Sequence, residues 1–155
     1  DTPSILLALE SIQDPHNFGS LTRTAEAIGI DGVLVPKHRS VGVTPGAVRA
    51  SAGAVEHLKV ARVTNLPRSL RKLKTSGYWI VGLNEAGEHL YDEVDYADRI
   101  VMVVGSEGRG LSQVVSRECD MVVRLPMAGR VRSLNAAVAG SIVLYQLFRK
   151  KKRHR

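Results

Sequence analysis

Short apolar runs rich in branched residues alternate along this chain with segments of helical period, a pattern that leaves little choice beyond a parallel sheet with crossover helices. The strand candidates are residues 5–9, 32–35, 78–83, 100–104 and 121–125, with 58–63 a weaker sixth. Between the first two, Phe18, Leu21, Ala25 and Ile28 fall on one helical face and Gly29 supplies a stop. Thr44-Pro45 predicts the cap and first turn of a helix through Ala54. Leu66, Leu70 and Leu73 mark a helix that ends before Gly77, and Val114, Val115 and Cys119 a short one after Ser112. In the last helix Leu134, Val138, Ile142 and Tyr145 share a face. Ala136, Ala137, Ala139 and Gly140 around them are small enough to admit a neighbouring backbone.

With 155 residues and no internal repeat or linker, the chain reads as one α/β domain over 1–148, followed by a basic C-terminal tail at 149–155. The tail accounts for most of the formal charge of +7. It holds six Lys or Arg and no acid, whereas the preceding 148 residues hold 16 basic and 15 acidic groups, a net of +1. An RNA-binding arm and a solubilising end are equal readings of such a tail. The longest uncharged stretch near the C-terminus has 16 residues, 133–148, short of the ~20 a spanning helix needs, so no membrane contact is expected. The start has no initiator Met and no secretory signal, which suggests a fragment of a longer protein. A single cysteine, Cys119, suits a reducing, cytoplasmic setting.

Ligands of open α/β sheets bind beyond the carboxyl ends of the strands, so the segments that follow the strands are where chemistry is expected. Three stand out. Asp14-Pro15-His16-Asn17-Phe18-Gly19-Ser20-Leu21-Thr22-Arg23 opens a helix, and by itself reads as a turn and cap with Arg23 on a solvated face. Gly105-Ser106-Glu107-Gly108-Arg109-Gly110-Leu111 has three glycines in six positions, which lets backbone N–H groups converge on a ligand. It matches neither the dinucleotide fingerprint nor the phosphate-binding P-loop, which would need a lysine. In Leu125-Pro126-Met127-Ala128-Gly129-Arg130-Val131-Arg132-Ser133-Leu134-Asn135 the serine is placed to cap the last helix and Asn135 to sit in its first turn. Arg130 and Arg132, two positions apart, suit a phosphate backbone. His16, His38, His57 and His89 are scattered without metal spacing, so no metal is expected. The acids Glu85, Glu88, Asp92, Glu93, Asp95 and Asp98 read as a solvated loop and edge, and Trp79 as core or interface.

In this order and spacing the three segments resemble the SpoU (TrmH) family of the SPOUT superfamily, AdoMet-dependent RNA ribose 2′-O-methyltransferases. The first motif is matched by Asp14, Pro15, Asn17, Gly19, Arg23, Ala25 and Gly29. The second is matched by Gly105, Glu107, Gly108, Gly110 and Leu111, and the third by Pro126, Met127, Gly129, Ser133, Leu134 and Asn135. The stretches Gly53-Ala54-Val55-Glu56, Arg62-Val63-Thr64-Asn65-Leu66 and Ile80-Val81-Gly82 are similar to the branch that methylates a guanosine of 23S rRNA, with tRNA the next substrate class. Where usual members read Ser-Leu-Asn-Val-Ser, this chain reads Ser133-Leu134-Asn135-Ala136-Ala137, a change expected to alter packing more than catalysis.

The resemblance implies a deep C-terminal trefoil knot and S-adenosyl-L-methionine (AdoMet) as cofactor, held by Leu83, Asn84, Val104, Gly105, Gly108, Leu125, Met127 and Leu134. It implies Arg23 as activator of the 2′-hydroxyl, helped by Ser133 and an RNA phosphate. Arginine normally keeps its proton, so stabilisation of a developing alkoxide is the alternative. Asn17, Glu107 and Asn135 would orient these groups, and Arg109, Arg130 and Arg132 would contact RNA. The family forms a homodimer through its first and third motif helices, which here suits the small-residue face of 133–148. The branch often carries an N-terminal RNA-binding domain, and nothing in this chain corresponds to it. A knotted RNA-binding module without turnover is the competing class, and a nucleotide-binding oxidoreductase a distant third.

Overall fold

All the anticipated apolar runs become strands of one seven-stranded parallel sheet in the computed structural model, which describes residues 2–38, 45–106 and 108–153. In chain order the elements are β1 (Ser4–Leu9), α1 (Pro15–Ala27), β2 (Gly32–Pro36), α2 (Pro45–Ala50), a 3₁₀ turn (Ala54–His57), β3 (Val60–Val63), α3 (Leu66–Thr75), β4 (Trp79–Leu83), β5 (His89–Leu90), β6 (Arg99–Val104), α4 (Gln113–Glu118), β7 (Met121–Arg124) and α5 (Ala136–Arg153). The strand order is β3-β2-β1-β6-β4-β7-β5, every neighbouring pair parallel. The two-residue β5, inside the acidic stretch, was not anticipated; two residues are too few for a period to show.

Strands in such a sheet are covered on both faces, which is why their sequences are continuously apolar. Leu7, Leu9, Val33, Val35, Met102 and Val104 face α1 and α5 in one core. Ala8, Leu34, Ile80, Val101 and Val103 face α3 and α4 in the other. Asp14 caps α1, its carboxylate accepting from the His16 N–H at 2.9 Å, and Pro15 supplies a pre-set first turn. Gly29, at φ 67°, ends the helix as the pattern predicts. Asn65 caps α3 through the Arg68 N–H at 3.0 Å.

Four expectations are corrected. The helix starting at Pro45 ends at Ala50, because Ala52 (φ 55°) and Gly53 (φ 81°) turn the chain left-handed before the 3₁₀ turn; its anticipated cap, Thr44, lies outside the described residues. Asn135, not Ser133, caps α5, its Oδ1 accepting from Ala137 N–H at 2.9 Å and Val138 N–H at 3.2 Å. Asn and Ser are comparable caps, and the residue immediately before the first helical position takes the role. Trp79 is 48% exposed at the start of β4 and so is not core. Residues 149–153, set apart in the sequence as a tail, continue α5; the Lys150 ammonium donates to Val94 O and lies 5.2 Å from the Tyr96 ring centre.

Helix α5 is also turned the other way from what its large residues suggest. Its small face, expected to suit the dimer contact, is instead buried within the chain, with Ala136, Ala137 and Gly140 beside Val143, Leu144 and Leu147, while Val138, Ile142 and Tyr145 point outward. Close packing decides this. A Cβ on Gly140 would lie 2.7 Å from Leu21 Cδ2 and 3.2 Å from Val104 Cγ2, so α5 can rest on α1 and β6 only through small side chains. Gly19 makes the equivalent contact between α1 and α2, where a Cβ would stand 2.4 Å from Ala50 Cβ and 2.8 Å from Ser51 N. Gly19→Ala is therefore expected to push two backbones apart and destabilise the domain by roughly 1–3 kcal/mol. Urea unfolding of the variant beside wild type checks this.

Candidate functional site

The carboxyl ends of β4, β6 and β7 open into a cleft of about 360 Å³, at the place where an open parallel sheet holds its ligands. Leu83 ends β4, Val104 ends β6 and Leu125 follows β7, so each wall is the first turn beyond a buried strand. The resulting floor is apolar. Met127, Ser133 and Leu134, on the loop that returns from β7 to α5, close the opposite side, and Arg109, Arg132 and Glu85 bring charge of both signs to it.

The glycine-rich loop shapes one wall. Gly110 N–H donates to Ser106 O at 2.8 Å, folding the loop into a tight hairpin-like turn. A Cβ on Gly105 would sit 2.3 Å from Gly110 O, and one on Gly110 would sit 2.7 Å from Asn84 Nδ2. Gly108 and Gly110 also have φ of 79° and 61°, which side-chain-bearing residues rarely adopt. The loop is closed at its far end by Glu10. This carboxylate accepts from Ser112 N–H and Ser112 Oγ–H, each at 2.7 Å, while the Glu10 N–H donates to Val104 O at 2.9 Å. Glu10 thus ties both ends of the loop to β1. The sequence held no sign of its role, since its partner is 102 residues away. Asn84 orders the adjacent turn, its N–H donating to Val123 O at 3.0 Å and its Oδ1 accepting from Ala86 N–H at 2.9 Å.

Of the residues singled out by the sequence, Leu83, Asn84, Val104, Gly105, Gly108, Leu125, Met127 and Leu134 line this one cleft, together with Ser133, Arg109 and Arg132. Glu107 lies outside the described residues. Asn17 and Asn135 are joined to each other, the Asn135 Nδ2 donating to Asn17 Oδ1 at 2.9 Å, which ties the first segment to the third at the start of α5. Arg130 is exposed on the loop and does not line the cleft. Nor does Arg23. It is exposed on α1, one residue before Thr24, whose hydroxyl bonds to Ser141 of α5 at 2.9 Å, and a helix turns about 100° per residue, so Arg23 points to the flank of that contact. Gly110 of the second motif lines the cleft as well, as do Glu85 and Ser106 beside expected residues, and Ala136 and Ala139, which carried no signal for it.

Cleft chemistry does not include the lone cysteine. Burial pushes the Cys119 thiol up to about 11, against a smaller lowering by Lys74, and its Sγ donates to Val115 O at 3.4 Å. Among the described residues no group of three His, Cys, Asp or Glu could hold a metal ion, and no helix is long and apolar enough to cross a membrane.

Comparison with known proteins gives a consistent result. The family model described as the SpoU rRNA Methylase family matches residues 4–145. A protein of Staphylococcus saprophyticus described as a putative TrmH family tRNA/rRNA methyltransferase is 47% identical over 151 residues, which cover 97% of this chain and 61% of that one. The chain thus spans about three fifths of this curated relative. Among solved structures, the SpoU methyltransferase AviRb from Streptomyces viridochromogenes in complex with AdoMet superposes with a TM-score of 0.90 at 28% identity, covering 99% of this chain and 62% of that one. A crystal structure described as an RNA 2′-O ribose methyltransferase gives 0.86 at 28% identity, over 98% of this chain and 58% of that one.

Replacing Glu10 by Ala removes both acceptors at Ser112 and should loosen the glycine loop. The expected outcome is AdoMet binding weakened by about threefold to tenfold, the scale of one ordinary net hydrogen bond, with the fold retained. Titration calorimetry beside a thermal melt separates the two effects.

Proposed function

Because the chain belongs to the SpoU rRNA methylase family, we propose that it is the catalytic domain of an RNA methyltransferase. Its substrate on this reading is a ribose 2′-hydroxyl, of a guanosine in 23S rRNA, with AdoMet as methyl donor. The observation that carries the proposal is the cleft, in which a glycine cradle, apolar strand ends and charged loop residues meet. That lining fits AdoMet: Leu83, Val104, Leu125 and Leu134 suit the flat adenine and the thioether chain, the glycines let the loop fold tightly along the cleft wall, and Glu85, Arg109 and Arg132 suit its charged ends. When bound, AdoMet supplies a methyl group activated by its sulfonium. The branch assignment to a 23S guanosine rests on the sequence resemblance. Transfer RNA is the second reading, supported by the description of the Staphylococcus relative, which covers both substrates.

A ribose hydroxyl is a poor nucleophile, so the protein must align it and stabilise charge on its oxygen as it reacts. Arg23 fits this task as a fixed cation whose N–H groups donate to the oxygen, while the proton leaves to an RNA phosphate oxygen or water. Asn17 and Asn135 brace the helix that carries it. Ser133 belongs to the loop wall facing the same space, and Glu107 is assigned a supporting role by the motif alone. Arg130 and Arg132 would hold the RNA backbone beside the cleft, and the trefoil knot implied by the resemblance belongs to the same proposal.

Arg23 stands outside the cleft of its own chain, which suits its supply by a second copy. The outward stripe on α5 suits that copy. Val138, Ile142 and Tyr145 are 37–49% exposed at helical spacing, an apolar stripe of the kind that marks an interface. A twofold dimer on this stripe would bring α1 of each subunit beside the other's cleft. Assays with labelled AdoMet and unmodified rRNA test the reading. Label should enter RNA at a ribose, and Arg23→Ala should reduce transfer about 10²–10³-fold, the scale of losing one stabilising donor, without changing AdoMet affinity. Undiminished transfer by the variant would refute its role.

A further inference from the structure

The strand order separates charge in a way the net charge hides. Residues 58–75, which form the edge strand β3 and helix α3, contain Lys59, Arg62, Arg68, Arg71, Lys72 and Lys74 and no acid. Residues 85–98, which include the opposite edge strand β5, contain Glu85, Glu88, Asp92, Glu93, Asp95 and Asp98 and no Lys or Arg. The order β3-β2-β1-β6-β4-β7-β5 sets these two segments on opposite edges of the sheet, six charges of one sign against six of the other.

Part of the basic edge has a structural use. Arg71 and Lys74 pair with Glu118 of α4 at 2.8 and 3.6 Å. Three other cations lie in the segments at the carboxyl end of the edge, the end at which the cleft opens, with Lys37 and Arg62 in register with the strand residues that face α1 and Arg68 on α3 across the strand. Arg62 is the third residue of β3, and Lys37 follows β2, its N–H donating to Val63 O at 2.8 Å. Arg68 is in the first turn of α3, three residues after the cap Asn65. All three side chains are exposed, and no ion pair joins any of them to another described residue. A cation in the first turn also opposes the helix dipole, by about 0.3–1 kcal/mol, so Arg68 is not there for the stability of α3.

We propose that Lys37, Arg62 and Arg68 form a second contact for the RNA substrate, gripping its phosphate backbone on the side of the sheet away from the acidic edge. The inference rests on the RNA-methyltransferase reading above. Strands stand about 4.7–4.9 Å apart, so three steps separate β3 from β6 and the patch lies roughly 15 Å from the cleft wall, within reach of a strand already held at the target ribose. The acidic edge repels the same backbone, which leaves the substrate one direction in which to leave the cleft. Phosphate contacts of this kind set register without reading sequence.

The experiment is binding of in vitro transcribed 23S rRNA to wild type and to the triple variant Lys37→Gln, Arg62→Gln, Arg68→Gln over a range of salt concentrations, with AdoMet titration as a control. Each lost phosphate contact lowers the slope of log affinity against log salt by about 0.7–0.9. The variant should bind roughly tenfold or more weakly at low salt, with the slope reduced by about 2–3, and should bind AdoMet as wild type does. Wild-type slope and affinity in the variant would overturn the proposal and leave the cations as guards against edge-to-edge pairing of β3. Failure of wild type to bind or methylate RNA at all would overturn the parent reading, and this one with it.

Discussion

The close seating of α5 on α1 and β6 is the contact on which the rest of the architecture depends. It is possible because Gly140, Ala136 and Ala137 present almost no side chain, and it is registered by two polar pairs, Asn17 with Asn135 and Thr24 with Ser141. With α5 fixed there, the chain leaving β7 has to cross the carboxyl ends of the central strands to reach it. The loop of residues 125–135 is that crossing, and it forms one wall of the cleft. Asn135 serves both ends of this argument, since its Oδ1 caps α5 while its Nδ2 reaches α1. Packing, capping and cleft formation are therefore one event. The same seating leaves Val138, Ile142 and Tyr145 facing outward, so a packing constraint within the chain sets an exposed apolar stripe on its surface.

The fold was legible because parallel strands buried on both faces must be apolar throughout, and residues 100–104 can be little else. The lining of the cleft was legible for a related reason. Leu83, Val104 and Leu125 end strands, and the glycine loop follows one of them, so the pattern that locates strands also locates what lies beyond them. Relations between distant segments were harder to see. Glu10 and Ser112 are far apart in sequence and meet through the β1–β6 pairing, and nothing local marks either. The small face of α5 was expected at the dimer contact, yet it is buried within the chain and the large residues face outward. Here the core side was set by how closely α1 and β6 approach, which depends on what the opposing surfaces tolerate.

Charge supplies the third level of organisation. A near-zero balance over the first 148 residues conceals a basic edge and an acidic edge held apart by the full width of the sheet. The cleft lies between them, at β6, β4 and β7. A polyanion approaching such a surface meets a directed field, and this orients it before any specific contact forms. The basic C-terminal residues add to the picture differently, since Lys150 is engaged with Val94 and Tyr96 and belongs to the packing of α5.

On the proposed reading the reaction needs a cleft from one subunit and Arg23 from another. That requirement is tested most directly by mixing two inactive proteins, one carrying Arg23→Ala and the other Gly105→Val, whose side chain would collide with Gly110 O. After subunit exchange, half of the dimers should be mixed, and each of these should contain one site with both an intact cleft and an intact Arg23. Recovery of about one quarter of wild-type methyl transfer is expected, as for random pairing in a twofold dimer. No recovery in a mixture shown to contain mixed dimers would contradict that reading, placing Arg23 and the cleft in the same subunit's site.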